Sequence, residues 1–296
     1  MINIIGGSHP AAKYLIKRIK NKDKINIFSS KNNYQNRTYP YEKTYEVIKD
    51  DDILISFSNI YITSLLIKNL SEKNIIPSKI ILISSSSIYS KIGAESIDSS
   101  NYINFQKGEE KIKNLSYQIL KNTQVIILRT TMIWGDLYDK NINQVYKFLN
   151  KYRFFPINTK SYGLRAPIHN EDLAIIIEKI IDFQFDKFNI FDVHGKEIIK
   201  YKDMINLIRK HSLRKFTFLL FVPHQFIVIL TNIFNPMPDI SLFKKLKSIL
   251  GVLKRQSEDL VYTENDFLNI YCDYEKLSFD ERLKNTYRKS RNKNLI

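Results

Sequence analysis

Across the first 130 residues, short apolar runs alternate with helical stretches long enough to cross over a sheet. Ile2 to Ile5, Lys24 to Phe28, the run after Asp51-Asp52, Ile80 to Ile83 and Val125 to Arg129 have strand length. Ala11 to Lys20, Ile60 to Leu70 and an amphipathic stretch reaching Leu120 lie between them. Runs such as Ile-Ile-Leu-Ile lack polar alternation, which marks a strand buried on both faces. Strand and helix alternating in this way predict an α/β fold with a doubly wound parallel sheet. Ligands of such sheets sit at the carboxyl ends of the strands.

Lys79 to Tyr89 is the stretch around which that expectation turns. Its apolar run breaks into Ser84, Ser85, Ser86 and Ser87, whose hydroxyls either enter a cleft at the strand end or merely close a turn. About one helix later comes Asn101-Tyr102-Ile-Asn-Phe-Gln106-Lys107-Gly-Glu-Glu110. Ser-Ser-x-x-x-Tyr followed by a helical Tyr resembles the extended short-chain dehydrogenase/reductase family, in particular a nucleoside-diphosphate-sugar epimerase-like subgroup. The resemblance implies a Rossmann-like sheet with a smaller C-terminal substrate lobe. It also implies Ser85 and Tyr102 as the acid/base pair, Ser84 beside the cofactor, and Ser86 and Tyr89 beside the substrate. The family's YxxxK pattern is broken: with Glu110 as the helix acid, Tyr102 takes the Tyr position and Gln106 the Lys position. Gln carries no charge to draw a phenol down from its usual pKa near 10, which leaves Lys107, one residue late, as the stand-in.

The opening Ile-Ile-Gly6-Gly-Ser8-His9-Pro-Ala-Ala12 resembles the family's GxxGxxG phosphate loop, with His9 and Ala12 at the second and third glycine positions. Gly6, Ser8, His9 and Ala12 are thereby implied at the dinucleotide, as are Phe57 and Ser58 at the end of the strand after Asp52. Ser29 and Lys31 follow the second strand where an NAD-preferring fold carries an acid. They either favour the extra phosphate of NADP or are a solvated loop; the expectation is NAD or NADP, with NADP preferred.

Leu128-Arg129-Thr-Thr-Met132-Ile-Trp134-Gly135 resembles the family's exit toward the substrate lobe, with Met132 where a sugar-nucleotide Asn usually stands. Gly163-Leu-Arg165-Ala-Pro-Ile-His169-Asn-Glu-Asp172-Leu-Ala174 resembles the RxPxHxxDxA signature of sugar-nucleotide epimerases and dehydratases. It implies Arg165 at the substrate diphosphate, since guanidinium binds phosphate oxygens bidentately; a structural ion pair is the alternative. Asn170 or Asp172 is expected to cap the helix running to Phe183, and His169 to be structural. Phe188 to Val193 returns to the sheet, in keeping with the family's strand there. The expected organisation is a dinucleotide part over residues 1–130, joined by strand 188–193, a substrate lobe over 131–282 and a disordered basic tail over 283–296.

Together these readings imply an NAD(P)-dependent epimerase, dehydratase or 4-keto reductase acting on a nucleotide-diphosphate sugar in surface polysaccharide biosynthesis. The alternatives are a degenerate protein that binds dinucleotide or sugar nucleotide without turnover, and a membrane-surface enzyme acting on a lipid-linked diphosphate sugar. The net charge of +16 is spread along the chain, which argues against a nucleic-acid partner and for an anionic membrane surface or a diphosphate. Phe216 to Phe234 is the most apolar window, and Pro223 splits it into an expected short strand and buried helix, with peripheral membrane contact as a further expectation. A lone Cys272 and an N-terminus read as a first strand suit a cytoplasmic location. No metal-ligand spacing occurs, and a homodimer is the expected assembly.

Overall fold

The computed structural model describes residues 1–29, 38–89, 99–135, 139, 141–214, 216–237, 240–261 and 277–291. In chain order the first part comprises β1 (Ile2–Ile5), α1 (Pro10–Arg18), β2 (Ile25–Phe28), β3 (Thr38–Tyr39), α2 (Thr44–Val47), β4 (Ile53–Ser56), α3 (Ile60–Glu72), β5 (Lys79–Ser85), α4 (Ser99–Gln118) and β6 (Gln124–Thr130). There follow β7 (Ile133–Trp134), α5 (Ile142–Tyr152), β8 (Phe154–Asn158), β9 (Leu164–Arg165), β10 (Ile168–His169), α6 (Asn170–Asp182) and β11 (Phe188–Val193). The last part holds β12 (Ile199–Lys200), α7 (Tyr201–Lys210), β13 (Phe218–Val222), α8 (His224–Phe234), α9 (Ser241–Arg255) and α10 (Phe279–Arg291).

Seven strands make one parallel sheet in the order β11-β6-β5-β4-β1-β2-β3. Neighbouring residues on each strand serve opposite layers, which is why the strand sequences are mostly apolar; among the buried exceptions, Asn3 and Asn26 are hydrogen-bonded to each other. Ile4, Ile55, Ile81 and Ile126 pack beneath α1 and α6, whereas Ile5, Leu54, Ile80 and Ile127 pack beneath α3 and α4. Chain direction across the sheet reverses between β1 and β4, so the crevice lies at the carboxyl ends of those strands. Lys79, buried at the start of β5, donates to the carbonyl oxygens of Ile180, Ile181 and Phe183, closing the carboxyl end of α6 with a cation.

Three expectations about organisation need correction. Residues 283–291 are helical, not a disordered tail: Leu283 and Tyr287 are buried in the lobe core, and Tyr287 stacks on Tyr146 at 3.6 Å. Arg282 ties this helix to the first turn of α6, donating to both carboxylate oxygens of Asp172 and to Glu171 at 2.6 Å. Second, His169 caps α6, its Nδ1 accepting from the amide of Glu171, in place of the expected Asn170 or Asp172. Third, the window after Phe216 does divide into strand β13 and helix α8, but Ile227 is the one buried residue of α8. Among the described residues no helix is long and apolar enough to cross a membrane.

Candidate functional site

At the switch point, Gly6 holds φ +76, a conformation open to glycine, and a Cβ there would stand 3.1 Å from Ser58 Oγ and 3.2 Å from the Phe57 carbonyl carbon. A helix start of this kind binds anions through its first free amides. Here several of those donors are engaged or missing. Gly6 and Gly7 both donate to the Phe28 carbonyl, and His9 donates to that of Gly6. Pro10 has no amide hydrogen, and Ala11 donates to His9 Nδ1 at 3.2 Å. The His9 ring lies 5.3 Å from that of Phe57, stacked, while Ala12 is fully buried against the sheet and Ser8 is partly exposed. The loop as it stands offers a pyrophosphate fewer free amides than a helix start of this kind usually does, and the crevice beside it is open. Ser29 is buried, and Lys31 lies outside the described residues.

The serine-rich end of β5 faces a cavity of about 500 Å³ whose wall includes Phe57, Ser58, all four serines, Phe105, Met132 and Arg165. Ser85 and Ser87 share a hydroxyl hydrogen bond at 2.9 Å, and Ser86 is buried. Behind the wall runs a polar chain through the core. Ser84 Oγ donates to Glu109 at 2.6 Å, and Arg129 grips Glu109 through Nε and Nη2. Arg129 Nη1 also donates to Tyr89 Oη at 2.6 Å, and that hydroxyl donates to Asp192 at 3.1 Å. Burial alone lowers the Arg129 pKa, but the hydrogen bonds and charge of Glu109 outweigh it and hold the guanidinium above its ordinary value. Burial pushes the Tyr89 phenol up. Tyr89 is therefore a member of this chain of hydrogen bonds, and it does not line the cavity.

Helix α4 requires a second correction. Glu110 is exposed and Glu109 buried, so the helix acid is Glu109 and the register moves back by one residue. The Lys position becomes Phe105, which lines the cavity, and the Tyr position becomes Asn101. Gln106 and Lys107 are both exposed and neither lines the cavity. Tyr102 belongs to the first turn of α4, with its side chain outside what is described.

Arg165 stands where the cavity meets a second one of about 410 Å³, walled by Met132, Phe148, Phe155, Tyr201, Val252 and Arg255 among others. Its guanidinium donates to the carbonyl oxygens of Leu164, Glu258 and Arg255 and lies over the Tyr201 ring at 5.2 Å. Among the described residues no carboxylate pairs with it. Desolvation lowers its pKa and the charge of Arg255 adds to that effect, against the opposing influence of Tyr201, Glu258 and Asp259. The cation is hydrogen-bonded to carbonyl dipoles on the rim of two cavities, where its field attracts an anion. His169, 4% exposed, lies against Trp134 and faces Thr286, consistent with its structural role.

Over 99% of both chains, this fold superposes on MoeE5 in complex with UDP-glucose and NAD, with a TM-score of 0.69 at 12% identity. The chain has the fold of the nucleotide-sugar epimerases and dehydratases. UDP-glucuronic acid 4-epimerase from Bacillus cereus, in complex with UDP-glucuronic acid and NAD, matches over 98% of this chain and 99% of its own, with a TM-score of 0.68 at 14% identity. DesIV, a dTDP-glucose 4,6-dehydratase from Streptomyces venezuelae with NAD and TYD bound, covers 98% and 97% with a TM-score of 0.68 at 12% identity. No protein-family model and no curated protein matches the sequence. Within this epimerase and dehydratase fold, the structure brings Phe57, Ser58, Ser84, Ser85, Ser86 and Arg165 to one cavity wall. It leaves Tyr89 and Lys107 off that wall. Glu109 and Phe105 escaped sequence reasoning because two adjacent glutamates allow two helix registers, and only packing chooses between them.

Proposed function

We propose that this cleft recognises a nucleotide-diphosphate sugar, and that the chain acts on it as an NAD(P)-dependent enzyme of the epimerase, dehydratase or 4-keto reductase kind in surface polysaccharide biosynthesis. The observation carrying the reading is Arg165: a buried guanidinium without a carboxylate partner among the described residues, at the junction of two cavities large enough for a sugar and a nucleotide. Solved structures of this fold hold a UDP-sugar together with NAD, which supports a nicotinamide dinucleotide here as well. Gly6 of the phosphate loop, with Phe57 and Ser58, would meet that dinucleotide.

A second reading, recognition of the sugar nucleotide without turnover, is favoured by three residues at the cofactor end. Pro10 and His9 remove amides from the phosphate loop, and Phe105 puts a ring where the fold's relatives would need a cation. Titration with NADH and NADPH, following nicotinamide fluorescence with and without UDP-glucose, separates the two. The enzyme reading requires dinucleotide binding and a changed sugar on product analysis. UDP-glucose binding with no response to either dinucleotide at millimolar concentration selects the second. Failure of every UDP- or dTDP-sugar tested to bind removes both.

A further inference from the structure

The hairpin of α8 and α9 has two apolar faces, and only one of them is packed. Ile227, Leu230 and Phe234 of α8 meet Leu246, Leu250 and Leu253 of α9 at helical spacing, which closes the inner face. On the outer side of α8, Phe226, Ile229 and Ile233 recur at the same spacing and are about half exposed. Ile249 and Val252 of α9 and Phe218 and Phe221 of β13 are exposed as well. More than half of the large apolar side chains exposed among the described residues lie between Leu213 and Val252. A chain that leaves this much apolar surface uncovered on neighbouring elements generally has something to cover it.

Charge identifies that occupant. From Phe216 to Ser257 the chain carries Lys244, Lys245, Lys247, Lys254 and Arg255 against one acid, Asp239. Lys244, Lys245 and Lys254 are exposed on α9. Aromatic and aliphatic side chains flanked by cations suit an interface of acyl chains beneath anionic headgroups. A second copy fits less well, because a two-fold contact through this face would bring its lysines against each other. We infer that β13, α8 and α9 form a docking face for an anionic lipid surface.

Docking has a consequence for the site. Val252 and Arg255 of α9 also wall the second cavity, beside Arg165. A docked chain would bring that wall to the membrane, where a diphosphate sugar carried on a lipid could reach the guanidinium. This consequence rests on the diphosphate reading of Arg165; the docking itself does not.

The experiment is co-sedimentation of the full chain at low salt with vesicles of phosphatidylcholine alone or mixed with phosphatidylglycerol. Binding is expected to the mixed vesicles and not to the neutral ones. K244E/K245E/K254E alters exposed positions only, and I229D/I233D alters the outer face of α8. Each should lower the bound fraction about tenfold, with the melting temperature and monomeric mass of the charge variant unchanged. The inference is overturned if the wild-type chain stays in the supernatant with mixed vesicles, or if the charge variant sediments as the wild type does. It is equally overturned if light scattering shows a dimer that I229D/I233D dissociates. Sedimentation is independent of dinucleotide and sugar-nucleotide binding, so its failure leaves the functional proposal standing.

Discussion

His9 Nδ1 accepts the amide hydrogen of Ala11 at 3.2 Å, next to Pro10, which has no amide hydrogen to give. The two residues silence two of the donors with which the start of α1 would hold a phosphate. His9→Gly frees Ala11, and Pro10→Ala restores the other donor. Each hydrogen bond to a charged group contributes about 1.5–3 kcal/mol, so the double variant should bind NADH roughly a hundredfold to ten-thousandfold more tightly than the wild type. Fluorescence titration checks this. No gain would show that a dinucleotide, if it binds, does not place its phosphates at α1.

Arg165 provides the matching test at the other end of the cleft. Arg165→Met removes the buried cation and should weaken UDP-glucose binding roughly tenfold to a hundredfold, the loss of about 1.5–3 kcal/mol from a charge-assisted hydrogen bond. Arg165→Lys keeps the charge without the planar fork and should fall between the two. Both variants also strand the carbonyls of Leu164, Arg255 and Glu258, so thermal melting must accompany calorimetry. Unchanged affinity in a folded Arg165→Met protein would assign Arg165 to packing alone.

The sheet was legible because its residues have one job. Ile4 and Ile5, or Ile80 and Ile81, face opposite layers and are apolar for the same reason, so the run itself announces a doubly covered strand. The site was legible only where residue type and position coincide, as at Ser84 to Ser87 and Arg165. Helix α4 defeated the reading because Glu109 and Glu110 are chemically identical, and a shift of one residue carries the side chain about 100° around the axis. The end of the chain defeated it for another reason. A sequence rich in Lys, Arg and Asn reads as solvated, yet Leu283 and Tyr287, four residues apart, are enough to bury one face of a helix.

Glu109 joins Ser84 of the cavity wall to Arg129, with both members of the ion pair largely buried. Glu109→Leu would leave a buried guanidinium uncompensated and should cost about 3–5 kcal/mol in urea unfolding. Exposed Lys107 makes the control: Lys107→Met should change stability by less than about 0.5 kcal/mol and leave ligand binding untouched. An active enzyme that loses turnover on Lys107→Met would restore the residue to the chemistry and refute the register counted from Glu109.

Arg282 reaches Asp172 across 110 residues, and the two side chains are 9% and 5% exposed. Removing the cation leaves Asp172 buried, while the amides at the start of α6 soften the penalty through the helix dipole. Arg282→Met should therefore destabilise the fold by about 3 kcal/mol, at the low end of the usual range for a broken buried pair. If urea unfolding shows less than about 1 kcal/mol, the pair behaves as a surface contact, and α10 is held by Leu283 and Tyr287 alone.

Tyr201, beside Arg165, sets the alkaline limit. Burial raises its phenol to about 12, against the opposing charges of Arg165 and Arg255 and a hydrogen bond with Gln256. In the unfolded chain the same phenol ionises near pH 10. Below that pH both states are protonated, and the group gives stability no slope. Between about pH 10 and 12 the unfolded state releases its proton first, so stability falls by about 1.4 kcal/mol per pH unit from this residue. Tyr287, also raised by burial, adds to the slope in the same direction. Tyr201→Phe should make the loss of stability above pH 10 shallower by one proton, read from urea midpoints across that range. An unchanged slope would mean that Tyr201 ionises in the native state at its ordinary pKa, with water reaching the cavity wall beneath Arg165.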